Sequence, residues 1–338
     1  MGNQLSKYLD KKVSELLVLE DRELSEPEKI RHQVFSNLLR AITVYYWNGN
    51  KYGTPYNYPL NPEPNDQYLD WSPFLLESYR GHNIAAIAVD ASGRVIDFEF
   101  NHNEIFNSSI DHAESRLLRR VFSLRQINEE WDIENPPDDK SYGTLLGGVT
   151  VYTSLESCSQ CSGIMTLAGV KDVVYLQEDT GMYQIGKILR NLSKNDDGAS
   201  YLQAPHPISG SEIGLSGYCD INKAFIEFEK QQRSKTGKPF RADDEGNKRY
   251  TGSITSFLCT QSAYNYFARG WPELKELLSE FEKDPGSELA TYRPGVDEEK
   301  RKCRPNERVM TNHEALNHAI SFYRYVREKG DRGTPHRV

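Results

Sequence analysis

The pattern that most restricts the fold lies between residues 83 and 176. Asn83–Val89 is a short apolar run, Ala91-Ser92-Gly93 is a turn signal, and Arg94–Phe100 is a second run, so together they predict a β-hairpin. A helix is expected over about Asp111–Glu130, with Leu117, Leu118, Val121 and Leu124 on its apolar face. Past Pro136-Pro137 come a strand-like run, Gly148–Thr153, a short helix, Cys158–Ala168, and a further strand, Val170–Leu176. Two strands joined by a helix imply a parallel pair with a right-handed crossover. The order strand–strand–helix–strand–helix–strand therefore predicts an α/β chain, a three-layer α/β/α core around a mixed sheet.

The flanks read differently. Val13, Leu16 and Leu17 share one helical face, and Ser25 with Glu28 forms a capping box around Pro27 ahead of Ile30, Val34, Phe35, Leu38, Leu39 and Ile42 at helical spacing. Residues 50–74 interleave Pro55, Pro59, Pro62 and Pro64 with Tyr52, Tyr56 and Tyr58, an irregular wrap whose aromatics pack on the core or form part of a lid. Beyond 193 the chain reads as loop to about 215, then helices at about 218–234, 253–283 and 311–328, with Arg241–Arg249 a solvated loop and Gly333-Thr334-Pro335 a frayed tail. The expected organisation is a helical and Tyr/Pro-rich extension over 1–80, a core over 81–192, and a mostly helical extension over 193–338.

Composition narrows the function classes. With 41 Lys and Arg against 49 Asp and Glu, the net charge is -8. That disfavours a broad basic groove for nucleic acid, while leaving room for a local patch. Five cysteines in 338 residues do not make a disulfide framework, and a C-x-x-C pair in a reducing compartment more often binds metal or does redox work. No apolar run approaches the ~20 residues of a membrane span, and no hydrophobic leader is present, so a cytoplasmic protein without membrane contact is expected. Gly2 and Ser6 fit the loose myristoylation template, a match that chance explains.

Two short segments carry chemistry. His112-Ala113-Glu114 opens the long helix, and Ser157-Cys158-Ser159-Gln160-Cys161 stands between a strand and a helix. A catalytic zinc takes three protein ligands and leaves a fourth position for water, and His112, Cys158 and Cys161 fill three places. Both segments sit at helix N-termini, where free N–H groups and the helix dipole favour thiolate. Glu114, two residues past His112, is left to face the attacking water as general acid and base. A structural zinc would need a fourth ligand, from Cys219, Cys259 or His206, and would leave His-Ala-Glu without a purpose. A thioredoxin-like pair belongs after the first strand of its fold, which is not where Cys158 falls.

These segments resemble the cytidine/deoxycytidylate deaminase superfamily over about residues 82–190, and within it the tRNA adenosine deaminase branch. The likeness rests on His112-Ala113-Glu114, on Ser154-Leu155-Glu156-Ser157-Cys158-Ser159-Gln160-Cys161, and on Val173-Val174-Tyr175 leading to Asp179 and Thr180-Gly181. Ser157 stands where the family has Pro, and Ser154 where Thr is common. Ser157 is expected to cap the following helix instead. The resemblance implies a cytidine-deaminase-like fold, bound zinc, Glu114 as the catalytic residue, and a homo-oligomer. It also implies a substrate-contacting Asn eleven residues before the zinc His, which is Asn101, with Asn103 as the near alternative. Ala113 and Ser157 complete the expected substrate contacts.

The expected reaction is hydrolytic deamination of a nucleobase, first an adenine-type base of a free nucleoside or nucleotide. A base in tRNA or single-stranded DNA, a cytosine nucleotide, and a non-enzymatic scaffold are the alternatives. Arg116, Arg119 and Lys187 are the cations available for a substrate phosphate.

Overall fold

The computed structural model describes residues 11–19, 22–47, 81–103, 106–125, 146–193, 202–236, 252–295 and 308–331. The Tyr- and Pro-rich stretch, the Pro136-Pro137 loop, the 241–249 segment, Gly2, Ser6 and the terminal tail lie outside them. Among the described residues, no helix is long and apolar enough to cross a membrane.

The sheet has five strands: β1 (Ala85–Val89), β2 (Val95–Phe100), β3 (Thr150–Thr153), β4 (Asp172–Tyr175) and β5 (His206–Ser209), in the order β2-β1-β3-β4-β5. β1 runs antiparallel to β2 and β3, whereas β3, β4 and β5 are parallel. The mixed sheet and the parallel pair expected across the short helix are both present. β5 was not expected: His206-Pro207-Ile208-Ser209 is too short to show a period, and Pro207 argues against a strand. It is tolerated because β5 is an edge, where one side of the strand needs no donor. β5 lies past residue 192, so the sheet takes a strand from the segment assigned to the C-terminal extension.

Alternation along the strands places the helices. Tyr152 meets His32 and Phe35 of α1 (Glu26–Tyr45), while the next residue, Thr153, reaches Glu114 in α2 (Ala113–Arg125). Successive side chains point to opposite faces, so α1 and α2 cover opposite sides of the sheet. β2 repeats the division: Phe98 and Phe100 meet Tyr46, whereas Asp97 and Glu99 pair with Arg120. α3 (Ser159–Leu167) and α4 (Ile185–Leu192) pack together, with α3 also against α2.

The expected capping box at α1 is formed, Ser25 donating to and accepting from Glu28. The 13–17 segment is a 3-10 turn with no buried residue; it docks through Asn191, whose side-chain amide donates to the carbonyls of Leu16 and Val18. The helix expected over 253–283 is three helices: α6 (Ile254–Phe257), α7 (Gln261–Ala268) and α8 (Gly270–Lys283), after α5 (Tyr218–Thr236). Thr260 caps α7 by accepting from the Ala263 N–H, and Gly270 lets α8 meet α1, since a Cβ there would stand 2.5 Å from the Asn37 carbonyl oxygen. α9 (Glu288–Thr291) and α10 (Asn312–Asp331) complete the chain.

One apolar cluster joins the sheet to α1, α5, α7, α8 and α10. Phe35 is fully buried in it, so Phe35→Ala is expected to lower the unfolding free energy by about 3–5 kcal/mol, measured by urea denaturation. A loss under 1 kcal/mol would mean that α1 is not part of the cooperative core.

His32 gives an acid-stability prediction. Its Nδ1 lies 2.9 Å from the Tyr152 hydroxyl, and burial lowers its pKa to about 4, with Asp172 opposing the shift. The unfolded chain therefore takes up this proton first, and stability falls as pH drops from about 6.5 and levels off near the folded value. His32→Gln is expected to flatten that limb in thermal melts between pH 7 and 4; an unchanged profile would contradict the assignment.

Candidate active site

The site is built at the starts of α2 and α3, against the end of β3. Asn101 Oδ1 accepts the Ala113 N–H at 2.6 Å, satisfying an otherwise orphaned donor at the start of α2 and fixing where His112 and Glu114 project. Cys158 occupies the N-cap of α3, and Cys161 follows in its first turn. The His112 Nδ1 is 3.3 Å from Cys158 Sγ and 3.7 Å from Cys161 Sγ, and the three ligand atoms lie within 4.8 Å of one another.

These separations fit a tetrahedral metal. Zn–S near 2.3 Å and Zn–N near 2.0–2.1 Å would set N and S about 3.6 Å apart. The electrostatics fit as well. The Cys158 thiol is pulled down to about 4, first by its hydrogen bond with Cys161 and then by His112. Cys161 moves the other way, by that hydrogen bond and by burial, so the pair shares a proton that a dication would displace. Among the described residues, Cys219, Cys259 and His206 do not join the cluster.

Glu114 is buried, and its Oε1 accepts from Thr153 at 3.0 Å and from Ser157 at 3.1 Å. Burial raises its pKa, and the neighbouring Cys158 adds to the shift. Ser157 therefore does not cap α3; its hydroxyl orients Glu114. Asn103 turns its amide to the Ser108 carbonyl at 3.3 Å, and Ala113 is fully buried, so neither lines the cavity, whereas Asn101 does.

The cavity beside the cluster measures about 580 Å³, within the range of small-ligand pockets. Its floor holds His112, Glu114 and Cys158. One wall is the segment after β4, where Glu156 accepts the Asp179 N–H at 3.1 Å and Asp179 accepts the Gly181 N–H at 2.9 Å. That segment ends in Tyr183 and Gln184, both at φ 53°, left-handed backbone that non-glycine residues adopt at a cost. Phe225 and Glu229 of α5 and residues 252–255 also line the cavity. Nothing in the periodicity of α5 marks it as a cavity wall. Arg116 pairs with Glu99 and Asp111, Arg119 pairs with Asp111, and neither they nor Lys187 line the cavity.

Residues 75–177 match the family model described as the cytidine and deoxycytidylate deaminase zinc-binding region. This stretch belongs to the cytidine/deoxycytidylate deaminase superfamily. His112, Cys158 and Cys161 fall within this zinc-binding region and lie close enough together to hold a metal ion. Among curated proteins, none matches the chain. Solved structures similar to part of it include one from a study of A-to-I editing by tRNA:A34 deaminases, with 23% identity, 38% of this chain and 82% of that chain covered, and a TM-score of 0.27. Another is the guanine deaminase of Nitrosomonas europaea, with 17% identity, 40% and 71% coverage, and a TM-score of 0.24. A third is the diaminohydroxyphosphoribosylaminopyrimidine deaminase/reductase of Thermotoga maritima, with 17% identity, 65% and 50% coverage, and a TM-score of 0.30.

Proposed function

We propose that the chain hydrolytically deaminates an adenine-type base of a free nucleoside or nucleotide, with His112, Cys158 and Cys161 as zinc ligands and Glu114 as the catalytic acid and base. The observation that carries this reading is a buried carboxylate, held by two hydroxyls, beside a three-residue cluster of which His112 and Cys158 line a 580 Å³ cavity.

Zinc at the cluster supplies Lewis acidity that lowers the pKa of water toward ~7. Thr153 and Ser157 keep Glu114 oriented, so no reorganisation is needed when it takes a proton from the attacking water. Glu114 hands that proton to the ring nitrogen beside the reacting carbon. The second proton of the water leaves with the amino group, so that a C–N bond is exchanged for a C–O bond and ammonia departs. Asn101, set in the cavity wall by its bond to Ala113, is the residue suited to hold the sugar or base edge.

The net charge of -8 and the carboxylate-rich lining support a small substrate over a polynucleotide. The test is ammonia release from zinc-loaded protein with adenosine, its monophosphate, cytidine and single-stranded oligonucleotides. Turnover of the small purines supports the proposal. Turnover confined to oligonucleotides or to cytidine moves the substrate to that class, and no turnover with zinc bound favours a scaffold.

A further inference from the structure

The cavity wall that follows β4 is held along most of its length. Leu176 offers its carbonyl to the Tyr266 hydroxyl at 2.7 Å, and the Glu178 N–H donates to Asn222 Oδ1 at 3.1 Å. The Glu178 carboxylate accepts the Tyr218 hydroxyl, also at 3.1 Å. Glu156 and the Asp179–Gly181 turn then fix the part that lines the cavity. The wall ends on Tyr183 and Gln184 in left-handed backbone, a conformation that persists only where the surroundings impose it and that gathers at ligand clamps.

Tyr183 lines the cavity and is nevertheless 78% exposed, the highest value among the large apolar side chains described, so it stands at the mouth. Among the described residues its side chain has no hydrogen bond and no ring partner. Tyr152, Tyr218 and Tyr266, by contrast, are buried with their hydroxyls paired.

We infer that Tyr183 is a base-stacking residue, its ring covering one face of the planar heterocycle that enters the cavity. This deepens the deaminase reading and rests on it. Every nucleobase has a π face, so stacking on an aromatic ring tolerates a change of base but not loss of the ring. The contact needs the ring and not the hydroxyl. The imposed backbone sets the ring in place before the substrate arrives, which leaves less freedom to be lost on binding.

The test uses the full chain, zinc-loaded, with Glu114→Gln to slow turnover, and calorimetric titration with adenosine, guanosine and cytidine, beside a thermal melt of each variant. Adding Tyr183→Ala is expected to weaken binding by about 5- to 100-fold, and Tyr183→Phe by less than about twofold. Tyr183→Leu, apolar but without a π face, is expected to bind at least about fivefold more weakly than Tyr183→Phe. Binding by Tyr183→Ala as tight as with the tyrosine in place, or by Tyr183→Leu as tight as by Tyr183→Phe, overturns the inference. Ammonia release by the chain with Glu114 intact tests the deaminase reading separately. Release together with unweakened binding by Tyr183→Ala sinks stacking alone, whereas weakened binding without release sinks deamination alone. If none of the three nucleosides binds, both fall.

Discussion

Glu114→Gln is expected to lower deamination by about 10²–10⁴-fold while leaving zinc content and melting temperature near those of the unmodified protein. The contrast follows from how Glu114 is held. Its Oε1 accepts from Thr153 and Ser157, and a glutamine oxygen can accept the same two hydrogen bonds, so the packing of α2 on β3 survives. What glutamine cannot do is bind and release a proton. Burial has already moved the carboxyl upward, toward the range in which proton transfer near neutral pH is efficient. The check is a kcat/KM ratio beside zinc analysis and a thermal melt. A variant that keeps more than a tenth of the activity would remove Glu114 from the chemistry, whereas one that loses zinc or unfolds would give it a structural role.

Cys161→Ala is expected to lose more zinc affinity than the ~10–100-fold that a supporting residue costs, and with it all activity that depends on the metal. Cys161 is fully buried in the first turn of α3, where alanine is a good helix former and leaves only a small void. The fold is therefore expected to survive the loss of the ligand. Chelator competition measures the affinity and circular dichroism the fold. Unaltered zinc affinity would exclude Cys161 as a ligand and with it the three-ligand assignment.

The core strands were legible because each carries an apolar run of strand length bounded by turn residues, as in Ala85–Val89 before Ala91-Ser92-Gly93. The elements that escaped are those whose cause lies in tertiary contact. β5 is four residues with a proline, and becomes a strand only because β4 offers an edge. The break between α7 and α8 depends on Gly270 meeting α1, a contact distant in sequence. The candidate metal cluster was readable from residue type and local spacing, His112-Ala113-Glu114 and the Cys158–Cys161 pair each standing at a helix start, although the packing that joins them spans 46 positions. Ser157 was misjudged as a cap because its partner, Glu114, lies 43 positions away. The α5 wall of the cavity carries no motif, and its place beside the cluster follows from packing of the C-terminal helices.

The most direct test of the central claim is turnover of adenosine by the zinc-loaded protein in heavy-oxygen water, followed by mass spectrometry of the nucleoside and an ammonia assay. Hydrolytic deamination predicts an inosine-type product that carries the heavy oxygen at the former amino carbon, with one ammonia released per product and both formed about 10²–10⁴-fold more slowly by Glu114→Gln. Recovery of unchanged adenosine, or a product without the label, would contradict it.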